Sequence, residues 1–234
     1  MAGYVIDPTW SGDPALLVDE PSDRALRARE VLHRGYVWDL VRDTVDLGDG
    51  QTVVREFVAH TGAVGVVALD DQDRVLLIRQ YRHPLGMMLW EPVAGLLDVD
   101  AESPRDAAAR ELVEEAGLTA GRWDVLVDVE LSPGGSSEAI RIYLARDLEP
   151  VPGGRPAGEG EERDLPVAWV PLTTALEGVL AGRLTSPSTV AGVLAAHASR
   201  AGGWSSLRPG TAAWPQRDHL VSQDRTRLRP EDDS

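Results

Sequence analysis

The chain has no cysteine among its 234 residues. Disulfide bonds, thiolate zinc sites and a cysteine nucleophile are therefore excluded. It also lacks an apolar run of roughly 18 residues, the length that a membrane-spanning helix needs. Its first residues, MAGYVIDPTWSGDP, have neither the basic nor the apolar segment of a signal peptide. We expect a cytoplasmic protein with no membrane partner.

Basic residues are outnumbered by acidic ones. Lys and Arg together number 23, Asp and Glu number 38, and the formal net charge is −15. A surface of this sign repels nucleic acid and anionic lipid, so we expect no nucleic-acid partner. An anionic substrate would need a metal ion to offset the repulsion. The hydrophobic content of 43% is ample for a buried core, in one domain with additions or in two small ones.

The first 60 residues divide into an arm and a strand-rich section. Residues 1–31 are rich in Pro, Asp and Glu, and within this stretch only PSDRALRAREVL has the spacing of a short helix. Residues 32–60 contain alternating and β-branched residues on both sides of GDG, which predicts a hairpin. We interpret this section as an N-terminal antiparallel β subdomain.

Residues 61–200 form the predicted main domain. In it GAVGVVALD and RVLLIRQYR, joined by DQD, are a predicted strand pair, and a helix is predicted at about 104–116. Further strands are predicted at WDVLVDVELS, AIRIYLARDL and VAWVPL, followed by two helices. Residues 201–234 show no period, which predicts a disordered tail with two unexplained tryptophans. Strands on both sides of an internal helix, with helices at the end, indicate an α+β fold.

The segment RELVEEAGL, residues 110–118, gathers carboxylates where local physics disfavours them. Glu111 and Glu115 are an i,i+4 like-charge pair, and Glu114 lies three residues beyond Glu111, so the three side chains repel one another. Gly117 is typical of the residue just past a helix C-terminus, where the helix dipole also disfavours anions. One interpretation is a solvated acidic face, and the other is a divalent cation held by oxygen ligands.

The residues upstream favour the cation. AGLLDVDAESPRDAAARELVEEAGL, residues 94–118, resembles the Nudix box, whose pattern is Gly-x5-Glu-x7-Arg-Glu-U-x-Glu-Glu-x-Gly-U with U an aliphatic residue. The matching positions are Gly95, Glu102, Arg110, Glu111, Leu112, Glu114, Glu115, Gly117 and Leu118. One departure is that six residues, not five, separate Gly95 from Glu102. The extra residue falls in the loop before the helix, where a change of length costs little.

Three further segments resemble the ADP-ribose pyrophosphatase subfamily of the Nudix hydrolases, and its actinobacterial members most of all. They are RQYRHP followed by WEPVAG, LSPGGSSEAIRIYLA with Pro133, and EGEERDLPVAWVPL. The resemblance covers about residues 32–198. It implies the Nudix fold, with mixed β-sheets sandwiched by helices, and Mg²⁺-dependent hydrolysis of ADP-ribose to AMP and ribose 5-phosphate. Two alternatives are hydrolysis of another nucleoside diphosphate sugar and a regulator that binds ADP-ribose without cleaving it.

The resemblance also implies a metal site for Mg²⁺ or Mn²⁺. Glu111 and Glu115, one helical turn apart, are the first choice as ligands, with Glu114 as a third. The backbone carbonyl of Ala94 is carried over from the family as a further ligand. Arg110 is expected to have a structural role, pairing with these glutamates or with Glu102.

The general base has several candidates. Glu138 ranks first because it follows the turn-rich SPGGSS on a loop that can close over substrate. Glu162 ranks second, with Glu161 beside it on a second acidic loop, and either could deprotonate or orient the attacking water. Glu114 is a further candidate member of the catalytic set. A solvated loop remains an alternative for residues 159–164.

Substrate contacts are predicted from side-chain chemistry and from the resemblance. Arg79 and Arg82 offer fork-shaped donors to phosphate. Trp38 and Tyr36 offer aromatic rings that can stack on adenine. The resemblance adds two further candidates, Glu91 and Gly134.

The resemblance finally implies a C₂ homodimer. In ADP-ribose pyrophosphatases the N-terminal strands exchange between two subunits and help to form the adenine pocket. We therefore expect Trp38 or Tyr36 of one subunit to lie near the nucleotide bound by Arg79 and Glu111 of the other. A monomer whose strands fold back on their own core is the alternative.

Overall fold

The computed structural model describes residues 11–22, 24–156 and 165–227 of the chain. These residues contain eleven strands, four α-helices and two single-turn 3-10 helices, Pro14–Leu16 and His83–Leu85. The strands are β1 Leu26–Arg34, β2 Trp38–Asp46, β3 Thr52–His60, β4 Ala63–Ala68, β5 Arg74–Arg82, β6 Met87–Glu91, β7 Val93–Leu96, β8 Leu118–Glu130, β9 Ala139–Pro150, β10 Val167–Pro171 and β11 Arg208–Pro209. The helices are α1 Pro104–Ala116, α2 Leu172–Leu180, α3 Pro187–Ala201 and α4 Pro215–Ser222.

The strands form three sheets. The N-terminal sheet has the order β1-β2-β3 and is antiparallel. A small antiparallel sheet has the order β10-β5-β6, and the five-stranded central sheet has the order β11-β8-β9-β4-β7. In the central sheet only β4 and β9 are parallel. The α+β prediction and the mixed-sheet prediction are both confirmed.

Helices lie on both faces of the central sheet. The side chains of β4 show this, since they alternate between two apolar clusters that contain different helices. Val64 and Val66 belong to the cluster that contains residues of α1. Val67 belongs to the cluster that contains residues of α2 and α3. A Cβ at Gly192 of α3 would stand 2.8 Å from a methyl group of Val67, so this helix packs closely on β4. With both faces buried, β4 is the nearly continuous hydrophobic run that such a strand requires.

The predicted helix PSDRALRAREVL is wrong for residues 26–32, and the predicted arm is wrong for residues 26–31, because β1 begins at Leu26. Residues 1–10 of the arm lie outside the described residues. The charged residues of β1 pair across the sheet rather than along a helix. Arg29 donates to both carboxylate oxygens of Asp43 at 2.8 Å, and Asp43 is almost completely buried. Arg42 lies between Glu30 and Glu56, one on each neighbouring strand. Such cross-strand ion pairs favour the strand over the helix.

The predicted pairing of GAVGVVALD with RVLLIRQYR is also wrong, although both segments are strands. β4 lies between β7 and β9 in the central sheet, whereas β5 lies between β10 and β6 in the small sheet. Only an isolated bridge between Leu69 and Val75 joins the two segments at their turn. The later strands are better partners because they let both β4 and β5 be buried on two faces.

The predicted disordered tail is wrong for residues 201–227: Ala201 ends α3 and residues 202–227 form an ordered C-terminal segment, while residues 228–234 lie outside the described residues. This C-terminal segment adds β11 to the central sheet, continues into α4 and buries Trp214 to 4% exposure. Arg141, which is 2% exposed, donates to the carbonyls of Ala212 and Ala213 and stacks on the Trp214 ring at 4.7 Å. The apolar surface and the hydrogen-bonded carbonyls explain why a stretch without periodicity is ordered. None of the described helices is long and apolar enough to cross a membrane.

Candidate active site

The helix α1 has the boundaries that the sequence predicts, because each end is capped. Ser103 is the N-cap, its Oγ accepts the backbone N–H of Asp106 at 3.1 Å, and Pro104 occupies the first helical position. Gly117 ends the helix with φ 64°, and its N–H donates to the carbonyls of the last turn. A helix fixed at both ends holds its carboxylates in a defined orientation.

Two of the three helix carboxylates face strand β7. A Cβ at Gly95 would clash with the Glu111 side chain, so glycine lets this carboxylate lie directly against the strand. Glu115 is 6% exposed, and its Oε2 accepts the backbone N–H of Ala94 at 3.1 Å. Glu114 is different, because its side chain is 48% exposed. The pair Glu111 and Glu115 therefore converges on Ala94 and Gly95.

Arg110 organises the carboxylates from the side. It donates two hydrogen bonds of 3.0 Å to Glu102, one of 2.7 Å to Glu111 and one of 3.0 Å to Glu114. These bonds raise the pKa of Arg110, the bond to Glu102 most of all, although burial opposes the rise. The predicted structural role of Arg110 is what this geometry favours. Ala101, with φ 60°, lies in the loop that absorbs the extra residue of the motif and leaves Glu102 in reach of Arg110.

The donor set fits a hard divalent cation. The four carboxylates and the one guanidinium of this cluster carry a net charge of −3, and all candidate ligand atoms are oxygens, the ligands that Mg²⁺ prefers. Within residues 11–22, 24–156 and 165–227, no three carboxylate or imidazole groups already meet at metal-binding distance. Arg110 and the Ala94 N–H instead donate hydrogen bonds to the glutamate oxygens. A cation at this place would compete with Arg110 for Glu111 and Glu114.

Glu138 lies at the same end of the central sheet as this cluster. Ile140 of β9, Ala63 of β4 and Leu96 of β7 lie in one row across three neighbouring strands. Two strand spacings separate Ile140 from Leu96, which is roughly 10 Å. Glu138 comes two residues before Ile140, just outside this row, and Gly95 comes one residue before Leu96, on the inner side of the row. The loop before β9 and the acidic helix therefore both lie near this end of the sheet. The Glu138 side chain is 30% exposed.

The predicted phosphate contacts lie on the small sheet. Arg79 stacks over the Trp90 ring at 5.9 Å and has no ion pair within the described part of the chain. Arg82 donates to Glu91 at 2.7 Å, and Glu91, which is 6% exposed, also accepts the hydroxyl of Ser186 at 2.7 Å. The carboxylate of Glu91 is therefore held between strand β5 and the start of α3. Glu91 would act on the substrate indirectly, by orienting Arg82.

The other candidates for substrate binding and for the general base lie in three different parts of the chain. Tyr36 is 99% exposed and Trp38 is 43% exposed, both at the turn between β1 and β2. Gly134 lies in the loop before β9, with open space where a side chain would be. Glu161 and Glu162 lie outside the described residues.

No sequence pattern points to His60, which the fold places beside Glu138. Its Nε2 lies 3.9 Å from Oε1 of Glu138, and its side chain is 9% exposed. Burial lowers the pKa of His60, and the neighbouring Glu138 opposes this effect. A single histidine at the end of an apolar strand has no motif around it, so only the three-dimensional structure reveals the pair.

A capped helix that presents glutamates to a glycine-containing strand, in a fold with helices on both sides of the central sheet, forms a strongly anionic centre of the kind that a metal-dependent hydrolase needs. Residues 59–186 match the NUDIX domain, and the chain belongs to the Nudix family. Hydrolases of this family generally use divalent metal ions. The family prediction made from the motif is thereby confirmed.

Two relatives and one solved structure illustrate the similarity. The ADP-ribose pyrophosphatase of Mycobacterium tuberculosis is 46% identical over 188 residues, covering 80% of this chain and 89% of that protein. The methanol dehydrogenase activator of Bacillus methanolicus is 35% identical over 70% of this chain and 87% of its own length. The crystal structure of an ADP compounds hydrolase has a TM-score of 0.67 at 24% identity and covers 80% of this chain and 98% of that chain, a likeness of fold.

Proposed function

We propose that this Nudix hydrolase cleaves the pyrophosphate of ADP-ribose to give AMP and ribose 5-phosphate, with Mg²⁺ or Mn²⁺ as its cofactor. The observation that carries the proposal is the convergence of Glu111 and Glu115 on Ala94 and Gly95. The substrate assignment is supported by the 46% identical ADP-ribose pyrophosphatase. A divalent cation held there would neutralise pyrophosphate charge and lower the pKa of a bound water.

In this proposal each residue of the acidic cluster has a separate role. Glu111 and Glu115 would bind the metal, with the exposed Glu114 and the Ala94 carbonyl as additional ligands. Arg110 would hold Glu111 and Glu114 in place, as the hydrogen bonds of its guanidinium to both carboxylates support. The glutamate cluster would hold the cation, whose charge would offset the repulsion between this acidic protein and an anionic substrate.

Glu138 would act as the general base. It lies at the end of the central sheet that also carries Gly95, and part of its side chain is exposed to solvent. A carboxylate there could accept the proton of the attacking water. Arg79 is the stronger phosphate contact, because Arg82 is already paired with Glu91. Glu161 and Glu162 stay alternatives for the base.

A substrate panel tests the proposed function. We expect kcat/KM to be highest for ADP-ribose among nucleoside diphosphate sugars and nucleoside triphosphates, with AMP and ribose 5-phosphate as the products. The Glu115→Gln variant, purified in the same way, shows whether a contaminating hydrolase contributes. A preference of tenfold or more for a triphosphate contradicts the assignment, and turnover of no substrate with Mg²⁺ or Mn²⁺ while ADP-ribose binds would indicate a regulator.

We also propose a C₂ homodimer in which each active site uses both chains. The exposed Tyr36 and Trp38, at the tip of the N-terminal sheet, support this arrangement because large aromatic side chains are often buried at interfaces. Sedimentation equilibrium at low micromolar concentration is expected to give twice the chain mass of 25.3 kDa. An active monomer of 25.3 kDa contradicts the dimer.

Mixed dimers test whether the sites are shared. Glu115→Gln and Trp38→Ala proteins, each inactive alone, are expected to regain partial activity when subunits exchange, because one site per heterodimer is then intact. The matched control mixes Glu115→Gln with Glu111→Gln, whose changes fall in the same chain's cluster, and should stay inactive. Equal results in the two mixtures would show that the sites are not shared.

A further inference from the structure

His60 is the one buried histidine of the five in this chain, and it ends strand β3. The next residues lead directly into β4, in the row that crosses the central sheet. A Cβ at Gly62 would touch the Ala139 carbonyl at 3.4 Å and the Leu97 side chain at 3.5 Å. His60 therefore lies where the loop before β9 and the loop before α1 come together.

The tautomer of His60 follows from its neighbour. The backbone N–H of Gly62 donates to Nδ1 of His60 at 3.1 Å. Nδ1 must then carry a lone pair, so the neutral imidazole has its hydrogen on Nε2. Nε2 is also the ring nitrogen that faces Glu138, and it lies 3.9 Å from Oε1 of that residue. A hydrogen-bond donor is thus held next to the candidate base.

The backbone around Glu138 is fastened to the same strand end. Val58 N–H donates to the Gly135 carbonyl at 2.9 Å, and Ser137 N–H donates back to the Val58 carbonyl at 3.0 Å. The N–H of His60 donates to Oγ of Ser137 at 3.1 Å. With the loop backbone fixed on both sides, the remaining freedom is the rotation of the Glu138 side chain. A shift of about 1 Å would bring its oxygen to hydrogen-bond distance.

We propose that His60 is a positioning residue for Glu138, whose carboxylate it orients through the Nε2–H while Gly62 fixes the tautomer. This inference rests on the proposed function, in which Glu138 is the general base. One carboxylate oxygen accepts the N–H, and the other is then directed to the attacking water. Catalytic hydrogen bonds of this kind are often long in free enzymes and shorten when substrate binds.

A set of variants tests the positioning role. We expect His60→Leu to lower kcat by about 10- to 100-fold with KM changed less than about threefold, because the base loses its orientation but substrate contacts stay. His60→Gln should retain kcat within about threefold, since its amide can replace both the donor and the acceptor. His197→Leu on α3 is the control and should behave as wild type.

A double-variant cycle separates positioning from general damage. Glu138→Gln alone is expected to lower kcat about a hundredfold or more with little change in KM. Adding His60→Leu to Glu138→Gln should lower kcat by less than about threefold more, because a residue that acts through Glu138 has nothing left to orient. Full multiplication of the two effects overturns the positioning role, as does a His60→Gln protein as slow as His60→Leu.

A measurement on the unaltered protein covers the case in which His60→Leu fails to fold. Long-range ¹⁵N spectra are expected to show His60 with its hydrogen on Nε2 at pH 7, and Glu138→Gln should shift the Nε2 resonance. A hydrogen on Nδ1 overturns the proposal. If Glu138→Gln keeps wild-type kcat, Glu138 is not the base and the proposal falls with that assignment. A slow Glu138→Gln with an unresponsive His60 removes the positioning role alone.

Discussion

The Glu115→Gln variant is expected to lose at least about a hundredfold in kcat while it keeps its fold. Glu115 is 6% exposed, and its Oε2 accepts the N–H of Ala94. Glutamine has an oxygen in the same place, so this hydrogen bond can be kept. What disappears is one negative charge among the groups proposed to bind the cation, which weakens metal binding and the activation of the bound water.

Thermal unfolding with and without Mg²⁺ links the loss to the metal. We expect Mg²⁺ to raise the Tm of the wild-type protein, because a ligand that binds only the folded state stabilises it. This rise should shrink strongly in Glu115→Gln. The control is Glu177→Gln on the exposed part of α2, for which both kcat and the Mg²⁺-dependent rise should be unchanged. Near-normal kcat of Glu115→Gln at saturating Mg²⁺ would refute Glu115 as a metal ligand.

Arg141→Met is expected to have the largest effect on stability, a loss of about 3 kcal/mol or more in the free energy of unfolding. Arg141 is 2% exposed and donates to both oxygens of Asp128, at 2.7 and 3.0 Å. It also donates to two carbonyls of the C-terminal segment. Methionine fills part of the volume but leaves these acceptors without their donor, and removing one partner of a buried pair typically costs about 3–5 kcal/mol. Arg208, at 2.9 Å from Asp128, compensates in part.

Urea unfolding measures this loss as a lower midpoint at similar slope. Limited proteolysis should cut Arg141→Met first within residues 202–227, because the C-terminal segment loses its anchor on the sheet. The same substitution at Arg122, whose side chain is 56% exposed and pairs with Asp124, should cost less than about 1 kcal/mol. Equal midpoints for Arg141→Met and Arg122→Met would show that Arg141 does not hold the segment.

Local chemistry explains which elements could be predicted from the sequence. The limits of α1 were predictable because Ser103, Pro104 and Gly117 each have a positional preference that acts without the rest of the chain. β1 was not, because its stability comes from ion pairs such as that of Arg29 with Asp43 on another strand. The separation of β4 from β5 into two sheets likewise depends on strands that come much later in the chain.

The same distinction applies to the site. The spacing of the glutamates identified the acidic centre, but it could not tell which of them face strand β7. The Gly95 contact with Glu111 and the Ala94 contact with Glu115 settle that orientation, while Glu114 remains exposed. His60 and the ordered C-terminal segment could not be predicted, since both depend on partners far away in the sequence.

The C-terminal segment also reaches the N-terminal sheet, with a consequence for the order of folding. Arg227 donates to the carbonyl of Gly35 at 2.8 Å, across 192 residues of sequence. At roughly 5–20 residues per second, the ribosome needs about 10–40 s to add that much chain. During this interval β1 and β2 can pair through Arg29 and Asp43, and β3 can pair with β2. Their contact with the C-terminal segment must wait for the end of translation. We expect the last step of folding to be the docking of the two ends of the chain.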